Sequence, residues 1–110
     1  MRTNFGHRKD GNHNGIAQAF RDRGFSVRDT HTIGDGFPDM VVAKHGQNIL
    51  IEIKDPGKPP SKRKLTRDEV VFSETWKGWY EIVETLSDVN VVEIKVIMAN
   101  AANLMANYPN

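Results

Sequence analysis

The chain has no cysteine. Disulfides, thiol nucleophiles and cysteine-based zinc sites are excluded, and a cytoplasmic setting is the expected one. Charge of one sign is also lacking. Fifteen Lys and Arg against 14 Asp and Glu leave a formal net charge of +1, so any basic signal for a nucleic-acid partner must be local. No apolar run approaches the ~20 residues of a membrane span, and no membrane partner is expected. The polar opening, residues 1–14, has no apolar h-region of a secretory signal. No internal repeat is present.

What remains is ordinary for a globular protein: 110 residues, 38% hydrophobic and 26% charged. That supports one domain over 1–110 with a modest core, and residues 1–9, mostly polar, are expected to be flexible.

Gly11 to Arg23 reads as a helix with Ile16, Ala17, Ala19 and Phe20 on one face, stopped by Gly24. Phe25 to Arg28 reads as a short strand. Thr30 to Gly36 is a loop whose Gly34 and Gly36 permit a sharp turn or a close backbone approach. Thr66-x-x-Glu69 is a capping box opening a second helix, with Leu65 and Val70 as its hydrophobic staple and Phe72 and Trp76 on one face. Trp79 to Val83 is a strand. Ser87 is the expected cap of a last helix reaching about Met105, with Val89, Val92, Val96 and Ala99 on one side. Its β-branched content leaves 89–98 open as a strand. Trp76 and Trp79 are expected in the core, and His7, His13, His31 and His45, which form no helical metal-binding pair, solvent-facing or hydrogen-bonded. The expected order is α-β-β-β-α-β-α, an α/β fold with a small mixed sheet flanked by helices.

The informative stretch is Gly36 to Lys54. It reads as two strands, the first starting at Pro38, joined by a tight turn. In the second, Glu52 and Lys54 share one face while Ile49, Ile51 and Ile53 take the other. A carboxylate and an amine in an otherwise apolar strand conflict with core packing, and such conflicts mark functional sites. With Gly46-Gln47 as the hairpin loop, His45 faces Asn48 and Asp39 falls opposite Lys54, diagonal to Glu52. All three side chains then emerge on one face; a slip of one residue would send Asp39 to the other.

Hard divalent cations take oxygen ligands. Asp39 and Glu52 offer two carboxylates, and the backbone carbonyl of Ile53 a third ligand. Lys54 is placed to orient or deprotonate an attacking water and to stabilise charge developing on a phosphorus. The set suits hydrolysis of a phosphodiester with Mg²⁺ or Mn²⁺. The plainer alternative is a turn residue at Asp39 and a solvent-facing ion pair at Lys54. After Lys54 come three prolines, a glycine and a run with no acid, in which Lys58, Lys62, Arg63, Lys64 and Arg67 are basic. Alone it reads as a solvated loop without regular structure; beside a catalytic strand it reads as a phosphate-binding segment.

Gly36-Phe37-Pro38-Asp39 followed by Glu52-Ile53-Lys54 resembles the PD-(D/E)XK nuclease superfamily. The chain is most similar to the VRR-NUC group, in particular its small stand-alone members of the phage-encoded type. The similarity begins near Arg8-Lys9-Asp10-Gly11-Asn12 and takes in Val27 to Thr30, the hairpin, Lys58 to Thr66, and Phe72, Trp76 and Gly78. It implies a restriction-endonuclease-like core and Mg²⁺- or Mn²⁺-dependent cleavage of DNA. Asp39 and Glu52 are then metal ligands and Lys54 the catalytic lysine. It also implies a homodimer selective for branched DNA such as Holliday junctions, working in the host cytoplasm. Relatives carry a glutamate on the first helix where Gly15 stands here. A DNA-binding module with a degenerate nuclease site is the alternative that Gly15 motivates.

Overall fold

The computed structural model describes residues 11–108; the flexible opening expected for 1–9 lies outside them. Helix α1 (His13–Asp22) leads into strand β1 (Ser26–Asp29), the hairpin β2 (Met40–Lys44) and β3 (Gln47–Ile53), helices α2 (Pro60–Arg63) and α3 (Arg67–Thr75), strand β4 (Tyr80–Val83) and helix α4 (Leu86–Ala106). The sheet order is β1-β2-β3-β4. The first two pairings are antiparallel and β3–β4 is parallel. The α/β fold with a small mixed sheet flanked by helices is therefore as expected, with α2 as an addition. That single turn forms because Pro60 sits at the first helical position, where fixed φ helps and a missing N–H costs nothing. The prolines that argued against regular structure here start it instead.

The hairpin register differs from the expected one by two residues. Lys44 pairs with Gln47 and Met40 with Ile51, so the turn residues are His45 and Gly46, not Gly46 and Gln47. Both have positive φ, 55° and 76°, as the favoured two-residue hairpin turn requires. A two-residue shift preserves the faces. It moves Asp39 from opposite Lys54 to opposite Glu52, one step beyond the Met40–Ile51 pair. The first strand starts at Met40 rather than Pro38.

The Met40–Ile51 face is the core. Met40, Val42, Ile49, Ile51, Ile53 and Val83 pack against Ile16, Ala17 and Phe20 of α1 and Val89, Val92 and Val96 of α4. Helix α4 is a helix throughout, which removes the strand alternative for 89–98. Its cap is Thr85, not Ser87: the Thr85 side chain accepts from the Asp88 N–H, and Asp88 accepts from the Thr85 N–H. By length and composition Leu86–Ala106 could cross a membrane, although no apolar run of that length stood out in the sequence. Here one face of it is core, and Glu93 and Lys95 on its flank pair with Arg23 and Glu81.

Helix α3 covers the other face. Its capping box forms as expected, with Thr66 as the cap and Glu69 returning to the Thr66 N–H. Phe72 packs edge-on to Phe37 and stacks on Trp76, with Tyr80 beside it. Trp79 packs against the core, but Trp76 is 44% exposed; stacking on Phe72 leaves its outer side in water. Gly36 (φ 80°) is where the loop and α3 touch. A Cβ there would lie 2.4 Å from the Asp68 carbonyl oxygen. The close approach allowed by this glycine is to a helix. Gly36→Ala combines a left-handed backbone with a backbone clash, and is expected to cost about 3 kcal/mol or more in denaturant unfolding, with matching loss of site geometry.

Candidate active site

Three elements build the site on the α3 face. The turn into β2 contributes Asp39, β3 contributes Glu52 and leads into Lys54, and α3 contributes Glu69. Asp39 is held at both ends: its N–H donates to the Ile51 carbonyl (2.9 Å), and its Oδ2 accepts from the Ile53 N–H (2.7 Å). The second bond ties the carboxylate to the strand that carries Glu52.

Glu52 is 2% exposed. One carboxylate oxygen is 3.5 Å from the Lys54 ammonium. The other, Oε1, is buried and accepts from no N–H or hydroxyl among the described residues; holding its proton, the Glu52 carboxyl hydrogen-bonds the neighbouring Asp39 and Glu69 carboxylates. Burial pushes its pKa from 4.5 to about 9; the charges of Asp39 and Glu69 push the same way, and Lys54 opposes them. A carboxylate this buried and this close to two others lacks positive charge.

Lys54 lies between carboxylates. Its ammonium donates to Glu69 Oε1 at 2.8 Å, the same oxygen that accepts from the Thr66 N–H. Burial raises the Glu69 carboxyl, but the hydrogen bonds from Lys54 and Thr66 outweigh it and leave the group below its ordinary range. Tyr80 closes the site from β4. Burial raises its pKa, and Glu52, Glu69 and Asp39 add to the effect, so the phenol keeps its proton. Its oxygen is buried without a partner among the described residues.

The structure thus brings Asp39, Glu52 and Lys54 together, as the sequence suggested. Glu69 and Tyr80 were missed. The capping box fully accounted for Glu69 locally, and nothing near Tyr80 in sequence marks it. Gly15 is exposed, with nothing within 4 Å of where a Cβ would stand. It borders a surface groove with Asn12, Asp55 and Glu84. The additional carboxylate at Lys54 therefore comes from α3.

The donor set fits a hard divalent ion. Asp39 and Glu52 supply oxygen ligands across the hairpin, and a cation would offset both the desolvation of Glu52 and the crowding of negative charge around it.

The basic segment divides. Arg63 and Lys64 line a cleft of about 310 Å³ together with Lys54 and Glu84. Arg63 is half-buried and 3.9 Å from Glu84. Lys58, Lys62 and Arg67 are exposed outside that cleft. The histidines also divide. His45 is exposed in the hairpin turn, whereas His13 is 2% exposed and its Nε2 pairs with Asp29, the hydrogen-bonded of the two placements expected; His7 lies outside the described residues. No protein-family model matches the chain, and no curated protein matches it.

Proposed function

We propose that the chain is a Mg²⁺- or Mn²⁺-dependent DNA endonuclease of the VRR-NUC kind, with a restriction-endonuclease-like core. The observation that carries this reading is the buried convergence of Asp39, Glu52 and Glu69 around Lys54.

Asp39, Glu52 and the Ile53 carbonyl would hold the ion, which supplies Lewis acidity and a water of lowered pKa. The Lys54 ammonium stabilises charge developing on the scissile phosphate. Glu69 keeps that ammonium charged and aimed, because its oxygen is itself fixed by the Thr66 N–H. Arg63 and Lys64, beside Lys54 in the same cleft, suit the flanking phosphates. Lys58, Lys62 and Arg67 extend the basic surface along the strand.

Selectivity for branched DNA rests on the family resemblance and on pairing of two copies, which would present two sites to paired strands. The exposed apolar residues Val91, Ile94, Met98 and Met105 of α4, at heptad-like spacing, support a helix-to-helix pairing. Sedimentation of the purified chain measures it: a dimer is expected, and a monomer removes that support.

The test of the activity is a cleavage panel over linear, nicked, flapped and four-way DNA with Mg²⁺ and Mn²⁺. Cleavage of a branched form, absent in Lys54→Ala, is expected. Wild-type protein that leaves every form uncut in both metals sinks the proposal. Binding without cleavage would favour the DNA-binding module. Reversing Lys62 and Lys64 to Glu is expected to weaken DNA binding at least tenfold at low salt and to flatten its salt dependence, measured by fluorescence anisotropy. Unchanged affinity would remove the segment from the interface.

A further inference from the structure

A second group of ligating side chains lies on the opposite face of the sheet from Glu52. Asp29 ends the edge strand β1 and pairs with Met40, on the core face. His13, the first residue of α1, reaches it with Nε2 3.3 Å from Asp29 Oδ2. His31, two residues further along, places Nδ1 in a short hydrogen bond with Asp29 Oδ1, and its backbone N–H donates to the same oxygen at 3.0 Å. One ligand atom from each residue lies within 4.8 Å of the others. The two imidazoles meet edge to face at 68°, with centroids 5.5 Å apart. They are not stacked, so both rings can direct a nitrogen at the shared carboxylate.

We propose that His13, Asp29 and His31 bind a borderline transition-metal ion of the Zn²⁺ class. Bond lengths of about 2.0–2.1 Å in a tetrahedral site put neighbouring ligand atoms roughly 3.3 Å apart, the separation between His13 Nε2 and Asp29 Oδ2; His31 Nδ1, hydrogen-bonded to the other carboxylate oxygen, would draw back from it to admit the ion. Two imidazoles and one carboxylate suit Zn²⁺, Co²⁺ or Ni²⁺ and not Mg²⁺, which takes oxygen. The ligands come from the start of α1, the end of β1 and the following loop, so one ion ties three segments. The same loop steadies the turn at Asp39: the Thr30 N–H donates to the Asp39 carbonyl at 2.9 Å and Thr30 Oγ1 to the Pro38 carbonyl at 2.8 Å. The ion therefore acts as a staple beside the acidic site, with a different metal preference, and does not depend on the nuclease reading.

Calorimetric titration of Zn²⁺ and visible absorption of Co²⁺ test this on the wild-type chain, His31→Ala and Glu52→Gln. His31 is half-buried and stands outside the hydrophobic core, so its loss leaves the core intact. One equivalent of Zn²⁺ should bind the wild type and Glu52→Gln alike, in the presence of excess Mg²⁺. His31→Ala should bind at least tenfold more weakly and lose the rise in Tm that Zn²⁺ gives the wild type. Co²⁺ should show visible bands of a four-coordinate ion in the first two proteins only. No uptake, or uptake unchanged in His31→Ala, would mean that Asp29 merely bridges two imidazoles. Uptake lost in Glu52→Gln and kept in His31→Ala would place the ion at the acidic site; either result overturns the proposal.

Discussion

Glu52→Gln is expected to abolish DNA cleavage and, in the same protein, to raise the stability of the metal-free chain. The amide keeps the shape of the side chain but cannot carry the charge that a divalent ion needs. A loss of cleavage beyond a hundredfold is expected, the scale of removing a central electrostatic group. The stability gain follows from the Glu52 carboxyl, which titrates at about 9 in the fold against an ordinary 4.5. Between those values the unfolded chain has already lost the proton that the folded chain keeps. The contribution of Glu52 to stability is thus fully present below pH 4.5 and is lost as pH rises toward 9. Glutamine does not titrate, so the advantage of the variant should widen from pH 5 to pH 9. A gain of about 1 kcal/mol raises Tm by roughly 4–8 °C for a domain near this size. Thermal melts in chelator at pH 5.5 and 8.5 measure it. A variant less stable than wild type at pH 8.5 would show that Glu52 is satisfied within the protein.

The same carboxyl sets the pH dependence of metal binding. Below pH 9 an ion must displace a proton from Glu52. Affinity for Mn²⁺ should therefore rise with pH, by up to tenfold per unit, and level off near pH 9.

Lys54→Met should do the reverse to stability. Lys54 is the cation that donates to Glu69 and approaches Glu52. Without it, Asp39, Glu52 and Glu69 face one another with that compensation gone. Breaking a buried pair from one side costs about 3–5 kcal/mol, and the loss should deepen as pH rises. Mn²⁺ should recover much of the stability, since the ion replaces the missing charge, yet cleavage should stay at least a hundredfold down. Differential melts with chelator and with Mn²⁺, beside a single-turnover assay, separate the two effects. Full cleavage by Lys54→Met would reduce Lys54 to a structural counter-ion.

The parts of this structure legible in sequence were those with local causes. The capping box at Thr66 and the apolar face of α1 depend on residues three or four apart, and both formed as expected. The hairpin register is not legible from glycine alone, because a left-handed turn position is also occupied by His45. The site survived because the error was two residues, and side chains alternate with that period. The burial of His13 has a local signal: it stands three, four and seven residues before Ile16, Ala17 and Phe20, on the buried face. Glu69 had none. Its link to Lys54 crosses fifteen positions, and its capping role was sufficient explanation at short range.

The central claim is that Asp39 and Glu52 hold a hard divalent ion beside Lys54. Mn²⁺ titration at pH 8.5 into wild type, Asp39→Asn and Glu52→Gln, each saturated with Zn²⁺ beforehand, tests it most directly. Saturable binding in the wild type that is lost in both variants is the expected result. Equal Mn²⁺ binding by all three proteins, or none by the wild type, would contradict it.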